Sequence, residues 1–289
     1  MELELFRVAV AVLGTAAAAA FDVFNNRNVP NQLLYAFVGL GLAANLWAFE
    51  PAFFLSALAP SLVILLFGWL LWREGQIGGA DVLILAGLAL LLPQPPTLFL
   101  ERPAAPSSIP FIASIFMLSG AIFLVAFTLR SVPAVARAAR RGEARVSGAG
   151  AAYALAALLL LWFFATTFAE LGLPPAYLLL VVVVVGCSAF VLAFKETITD
   201  SLIELVPLNS IDEEDVLAVD KMDASIVKRW GLRKLLTADQ LARLKKTRLK
   251  KFPVFKRLPT FLPWVLLALL LSLRYGDLPS ILTALAFGQ

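Results

Sequence analysis

The sequence predicts an all-α polytopic membrane protein, a bundle of about eight transmembrane helices with a small, mainly helical cytoplasmic domain. Of its 289 residues, 61% are hydrophobic and 15% are charged, and the mean hydropathy is +0.87. Soluble domains are closer to half apolar and a quarter charged. The apolar residues also form long runs, of about the length that a helix needs to cross the ~30 Å hydrocarbon core.

Eight apolar runs predict the individual spans. Their approximate bounds are 4–22, 32–49, 52–72, 81–93, 108–129, 149–168, 175–194 and 260–275. The first run lacks the basic start of a signal peptide, since Glu2 and Glu4 precede Arg7, so we interpret it as a retained span. The fourth run rises only ~20 Å. We therefore expect it either to be extended at its start or to lie inside the bundle.

The positions of the basic residues predict the orientation. With the N-terminus outside, the inner segments would be 23–31, 73–80, 130–148 and 195–259. They hold all of the 24 Lys and Arg residues except Arg7, Arg102 and Arg274. Inner loops carry such an excess of positive charge. The chain thus divides into a transmembrane bundle (1–194), a cytoplasmic domain (195–259) and a last helix with a tail (260–289).

The polar segment 195–259 differs in composition from the rest of the chain. Thr237 is followed three residues later by Gln240, the pattern of a capping box at a helix start. A basic run occupies 245–251. Such runs are typical of surfaces that follow anionic lipid headgroups. We favour membrane lipids over nucleic acid as its partner.

The composition excludes several kinds of catalytic site. The chain has no histidine and a single cysteine, Cys187, inside an apolar run. A Ser-His-Asp triad and a Cys-His pair are therefore excluded, and so are zinc sites built on histidine or on several cysteines. We expect no metal or other cofactor.

Two aspartates stand at the ends of apolar runs, where a carboxylate is costly and needs a partner or a role. Asp22 ends the first run and precedes Arg27, and Asp81 opens the fourth run after Gly78, Gly79 and Ala80. Each has a structural interpretation on its own. Asp22 would be a helix-end residue with Arg27 as its counter-ion, and Asp81 would be a helix N-cap.

Taken together, the two aspartates favour a catalytic interpretation. The predicted topology brings both to the cytoplasmic face at similar depth. Aspartic proteolysis needs two carboxylates that share one proton. One activates a water molecule, and the other protonates the leaving amine. This chemistry requires neither histidine nor cysteine nor a metal.

The motifs around both aspartates resemble those of a known family. Gly78-Gly79-Ala80-Asp81 is similar to the Gly-x-Gly-Asp motif of membrane aspartyl proteases, with Ala80 in place of the second glycine. Asp22 with Arg27-Asn28-Val29-Pro30-Asn31 resembles the Asp-x4-Arg-x-Ile-Pro-Asn signature of prepilin and preflagellin peptidases. The stretches 236–245, 258–263 and 274–277 resemble the archaeal branch of these enzymes.

The resemblance implies an aspartic endopeptidase with Asp22 and Asp81 as its catalytic pair. Residues Arg27, Asn28, Pro30, Asn31, Gly78, Gly79 and Ala80 would support the pair. Such enzymes remove the short basic leader of type IV pilin-like and archaellin precursors at the cytoplasmic membrane face. Bacterial relatives that also N-methylate the new terminus often carry four cysteines, so this chain is expected to lack methyltransferase activity.

The alternative from another class is a proton-coupled transporter that uses Asp22 and Asp81 as its protonation site. Intramembrane aspartates also mark proton relays. A transporter of this kind would place them near the middle of the bilayer, between internal repeats. The sequence shows no convincing repeat, and both aspartates lie at the ends of apolar runs.

Overall fold

The computed structural model describes residues 2–25, 27–98, 110–146, 148–170, 175–211, 215–234, 236–244, 251–256, 258–278 and 280–281. These residues form helices, with one small antiparallel sheet. The long helices are α1 (Glu2–Phe24), α2 (Asn31–Trp47), α3 (Pro51–Arg73), α4 (Gly79–Leu91), α5 (Phe111–Arg140), α6 (Gly148–Glu170), α7 (Pro175–Ala193) and α11 (Leu262–Tyr275). The shorter elements are α8 (Lys195–Leu202), β1 (Ile203–Pro207), α9 (Ala224–Trp230), α10 (Ala238–Leu244) and β2 (Lys251–Phe255). The all-α membrane class is confirmed, and each predicted span corresponds to one long helix.

The prediction of about eight spans is not confirmed. Within the described chain, α1, α3, α5 and α6 are long and apolar enough to cross a membrane. Helices α7 and α8 together make a fifth candidate, bent by 74° at their junction. Helices α4 and α11 are apolar but have only 13 and 14 residues, and α2 has 17.

Helix α4 lies inside the bundle, which is one of the two alternatives expected for the short fourth run. It packs against α1, α2, α3 and α5, and all its residues from Ile84 to Leu91 are buried. Because this helix is surrounded by protein and not by lipid, its length need not match the thickness of the hydrocarbon core. The helix begins at Gly79, two residues earlier than the run of 81–93 indicated.

Helix α11 packs between α1 and α5, and so brings the C-terminal part of the chain to the N-terminal helices. The three helices share one apolar core with α2 and α4, which includes Phe37, Leu88, Phe111 and Leu269. Helices α6 and α7 pack on each other, and α7 joins them to the bundle through α5. The end of α1 and the starts of α4 and α11 thus meet in one region.

The segment between α7 and α11 contains a sheet that the mainly helical prediction missed. Strands β1 and β2 pair antiparallel, from Ile203 opposite Phe255 to Pro207 opposite Lys251. They have an apolar core of their own, formed by Val206, Ile211, Leu217, Leu232, Leu236, Leu244, Phe252 and Val254. An independent domain at 195–259 remains a prediction.

The predicted capping box of this segment is confirmed. The Gln240 backbone N–H donates to Thr237 Oγ1, and the Thr237 N–H donates to Gln240 Oε1, both at 3.4 Å. Helix α10 starts at the next residue, Ala238. Residues 245–250 of the basic run lie outside the described residues.

Candidate functional site

Asp22 and Asp81 come together at one end of the bundle. Asp22 lies two residues before the end of α1, and Asp81 is the third residue of α4. The two carboxylates are close enough for their charges to interact. Asp22 is buried, with 8% of its surface exposed, and Asp81 is half-buried. The structure thus brings together the two aspartates that the sequence singled out.

Asp81 is held by the turn that precedes it. The Gly78 backbone N–H donates to Asp81 Oδ2 at 3.2 Å, so the carboxylate reaches back over the first turn of α4. Gly78, and not Asp81, is the N-cap of this helix, which corrects the structural interpretation of Asp81. The N-terminal end of a helix favours a negative charge. The sequence therefore places this carboxylate where the backbone can stabilise it.

Because Gly78 has no side chain, there is space beside it for the Asp81 carboxylate. A Cβ atom added to Gly78 would lie 2.9 Å from Asp81 Oδ2, closer than real Cβ contacts allow. One added to Gly79 would lie 3.3 Å from Trp72 Nε1. Ala80 is partly buried and packs against the main core. The methyl group that distinguishes this chain from the Gly-x-Gly-Asp pattern is thus accommodated by packing.

Asp22 receives a hydrogen bond from a part of the chain that sequence reasoning did not connect to it. The Leu262 backbone N–H, at the first residue of α11, donates to Asp22 Oδ2 at 3.3 Å. The C-terminal end of α1 is unfavourable for a carboxylate, and the N-terminal end of α11 offsets this. A signal existed in the sequence, because 258–263 is one of the stretches that resemble the archaeal enzymes.

Arg27 contacts the chain that leads into α11. Its Nη2 donates to the Lys256 carbonyl oxygen at 3.0 Å and also to the Leu258 carbonyl oxygen. Burial lowers the pKa of Arg27, and the attraction of Asp22 opposes that effect. In the described part of the chain no ion pair joins the two side chains directly. Arg27 is thus a more distant counter-ion of Asp22 than the sequence suggested.

The other motif residues form the turn from α1 to α2. The Asn25 Nδ2 donates to the Asn28 carbonyl oxygen at 2.7 Å, and the Asn28 N–H donates to the Asn25 carbonyl oxygen at 2.8 Å. Pro30 is the N-cap residue of α2 and accepts from the Leu33 N–H at 3.0 Å, while Asn31 begins that helix. These residues set the path of the loop that carries Arg27.

Oxygen and nitrogen ligands for a metal ion do not converge in the described residues. No three of their His, Cys, Asp or Glu side chains form a group that could hold one. Two interacting carboxylates can perform acid–base chemistry.

Comparisons with known proteins point to one family. Residues 9–130 match the type IV leader peptidase family, and this range includes both aspartates and their motifs. The chain is also similar to the prepilin peptidase EppA of Methanothermobacter thermautotrophicus, with 31% identity over 102 residues. That match covers 34% of this chain and 26% of the relative, so it spans about a quarter of the relative's length. No solved structure matches the chain. The resemblance to prepilin-type peptidases is confirmed.

Proposed function

We propose that this chain, which resembles the type IV leader peptidases over residues 9–130, is a membrane aspartic endopeptidase with Asp22 and Asp81 as its catalytic pair. Its substrates are precursors of type IV pilin-like proteins, archaellins among them. It removes their short basic leader where the leader meets the apolar helix, at the cytoplasmic face of the membrane. Lipids surround the bundle, which crosses the membrane about eight times with its N-terminus outside.

One observation carries this proposal. Asp22 and Asp81 come from helices far apart in sequence, yet their carboxylates lie close enough to interact, each accepting a backbone N–H at the start of a helix. Two like charges in a partly buried site repel each other, which favours a state in which the two carboxyl groups share one proton. Both residues lie within three positions of a helix end, and no observation favours the midplane site of a transporter.

The pair supports a complete peptide hydrolysis. The ionised carboxylate takes a proton from a water molecule, whose oxygen forms a bond to the peptide carbonyl carbon. The protonated carboxyl group polarises the carbonyl oxygen and then gives its proton to the amine as the C–N bond breaks. A basic leader approaching this acidic pair is attracted to it, and the attraction weakens as salt is added.

The proposal is tested with the purified protein in lipid vesicles and synthetic precursors that contain a basic leader and an apolar helix. We expect one new N-terminus at the border of the leader, identified by intact mass and N-terminal sequencing. With S-adenosylmethionine present, the product should stay unmethylated, because the chain has one cysteine, whereas the methylating bacterial enzymes that it resembles often carry four. Intact precursors after incubation with the folded protein would reject the peptidase. A methylated product would reject only the expected lack of methyltransferase activity.

A substitution at Gly78 should impair cleavage without unfolding the protein. In Gly78→Ala, the new Cβ displaces the Asp81 carboxylate, since it would otherwise lie 2.9 Å from Oδ2. Displacement of a reacting group by about 1 Å can cost roughly 100-fold in rate. We expect kcat to fall about 10- to 100-fold while the thermal unfolding midpoint changes little. Gly79→Ala is the matched control, because its Cβ meets the Trp72 side chain and leaves Asp81 in place. Equal rates for the two variants would contradict the expected displacement.

A further inference from the structure

Arg27 has an unusual backbone conformation and a specific pair of acceptors. Its φ is 67°, and among the described residues it is the only one other than glycine with a positive φ. Such a conformation persists where the surrounding contacts determine it. The terminal Nη2 atom donates to the carbonyl oxygens of Lys256 and Leu258, while the side chain is partly buried. The loop after α1 is therefore tied to a remote stretch of chain.

That stretch is the connector, defined here as residues 256–261 between β2 and α11, of which 257 lies outside the described residues. Its first residue, Lys256, also forms an ion pair with Asp215, with Nζ 2.7 Å from Oδ2. Immediately after the connector, the Leu262 N–H donates to Asp22 Oδ2 at 3.3 Å. The connector is thus fixed near its start by Arg27 and Asp215, and it delivers a hydrogen-bond donor to Asp22 at its end.

We propose that Arg27 is a positioning residue that holds the connector so that the start of α11 donates to Asp22. Arg27 then acts on the candidate catalytic pair through the backbone of the connector. The inference rests on the proposed function for its effect on rate, but its structural part concerns only the Arg27, connector and Asp22 contacts. It also assigns a role to the segment between α7 and α11, because β2 and Asp215 belong to that segment.

The rival explanation is that Arg27 acts by charge alone. Arg27 is close enough to interact with three charged groups, which are Asp22, Arg130 and Asp215. A role in charge would survive replacement by lysine and would also respond to changes at Arg130. A role in positioning would not survive replacement by lysine. Lysine keeps the charge, but its nitrogen lies one bond nearer the backbone than the Nη2 that makes both contacts, and it lacks the planar guanidinium.

The test compares Arg27→Lys, Arg27→Gln and Arg130→Gln in the full-length protein in lipid vesicles. Arg130 is exposed on α5 and borders the same pocket as Pro259 and Thr260 of the connector. It serves as the charge control, since its removal changes the local charge while both Arg27 hydrogen bonds to the connector remain. We expect both Arg27 variants to lose about 10- to 100-fold in kcat, with KM changed less than about threefold, and Arg130→Gln to stay within about twofold of the original rate. Arg27→Lys with nearly the original kcat would overturn the proposal in favour of charge.

A second readout does not depend on catalysis. Hydrogen exchange of the peptide containing Leu262 should become faster in Arg27→Lys, because that amide loses its fixed acceptor. Asp215→Asn, which removes the other tie of the connector, should produce a smaller increase in the same peptide. Unchanged exchange in both variants would overturn the positioning role even if the protein is a peptidase. Faster exchange in a protein that cleaves no precursor would instead reject the proposed function and leave the positioning role standing.

Discussion

Asp22→Asn and Asp81→Asn are each expected to abolish precursor cleavage while the helix bundle stays folded. Acid–base catalysis by a positioned side chain contributes about 10²- to 10⁴-fold, and an amide can neither accept nor donate the required proton. We expect the rate to fall by roughly 10³-fold or more. The measurement is the initial rate of leader release from a synthetic precursor, followed by mass spectrometry.

The same variants should not lower stability, and this separates a catalytic role from a structural one. Asparagine keeps an oxygen that can accept from the Leu262 N–H at position 22 or from the Gly78 N–H at position 81. It also removes the repulsion between two interacting carboxylates. Residues that serve function often reduce stability, and their neutral variants are then more stable. The thermal unfolding midpoint should therefore stay equal or rise.

Asp200→Asn provides the control for this pair of variants. Asp200 lies on α8 and forms an exposed ion pair with Lys221 at 2.7 Å. Exposed pairs contribute about 0–1 kcal/mol, so both rate and stability should remain close to the original. Cleavage that persists in either Asp22→Asn or Asp81→Asn would reject the two-carboxylate mechanism. A fall of the unfolding midpoint together with the loss of cleavage would favour structural roles for the aspartates.

The positions of the long helices could be predicted because apolar runs are local signals. The runs at 32–49 and 175–194, for example, correspond to Asn31–Trp47 and Pro175–Ala193. Which helices face lipid is not a local property. The run at 81–93 resembles the others in composition, yet α4 is short and surrounded by four helices. Only the contacts of the folded chain distinguish a helix that is surrounded by protein from one that faces lipid.

Pairings between distant segments were the part of the fold that the sequence did not reveal. Strands β1 and β2 have five residues each and pair across the intervening α9 and α10. The burial pattern of β1 lacks the alternation that identifies a strand with one buried face. The contacts of Arg27 with Lys256 and of Asp22 with Leu262 are also non-local.

The two aspartates themselves could be identified from the sequence because of their physical cost. A carboxylate at the edge of an apolar run is rare enough to require a reason, and the distribution of Lys and Arg indicated that both face the same side. Arg7 shows the limit of that reasoning. The charge pattern predicts an outer position for it, yet it is 6% exposed and donates to the Ala44 carbonyl oxygen and to Asn45 Oδ1. A buried arginine and a loop arginine contribute equally to a charge count.

Gly87→Ala should destabilise the bundle far more than a comparable substitution elsewhere, because the Phe37 ring of α2 fills the space at Gly87. A Cβ added there would lie 2.4 Å from Phe37 Cδ1, and one added at Gly14 of α1 would lie 2.3 Å from Cδ2. Phe37 is 2% exposed, so its ring has little room to move. Small residues let helices approach closely inside membranes. Two glycines here let one aromatic ring join α1, α2 and α4.

We expect Gly87→Ala and Gly14→Ala each to cost about 1–3 kcal/mol, the usual range for overpacking a core. Gly39→Ala is the matched control on α2, since a Cβ added there meets nothing within 4 Å. Alanine favours a helix over glycine by up to ~1 kcal/mol, so this variant should be neutral or slightly stabilising. Unfolding in denaturant within detergent micelles, followed by circular dichroism, measures all three.

A smaller residue at position 37 should relieve the overpacking. This tests whether the steric contact with the Phe37 ring is what destabilises Gly87→Ala. Phe37→Leu alone leaves a cavity and is destabilising. Combined with Gly87→Ala, it should cost less than the sum of the two single changes, because the added methyl group then occupies vacated space. Because α4 carries Asp81, the double variant should also recover part of any lost cleavage. Strict additivity of the two free energies, or a Gly87→Ala variant as stable as Gly39→Ala, would show that the ring does not fix α4.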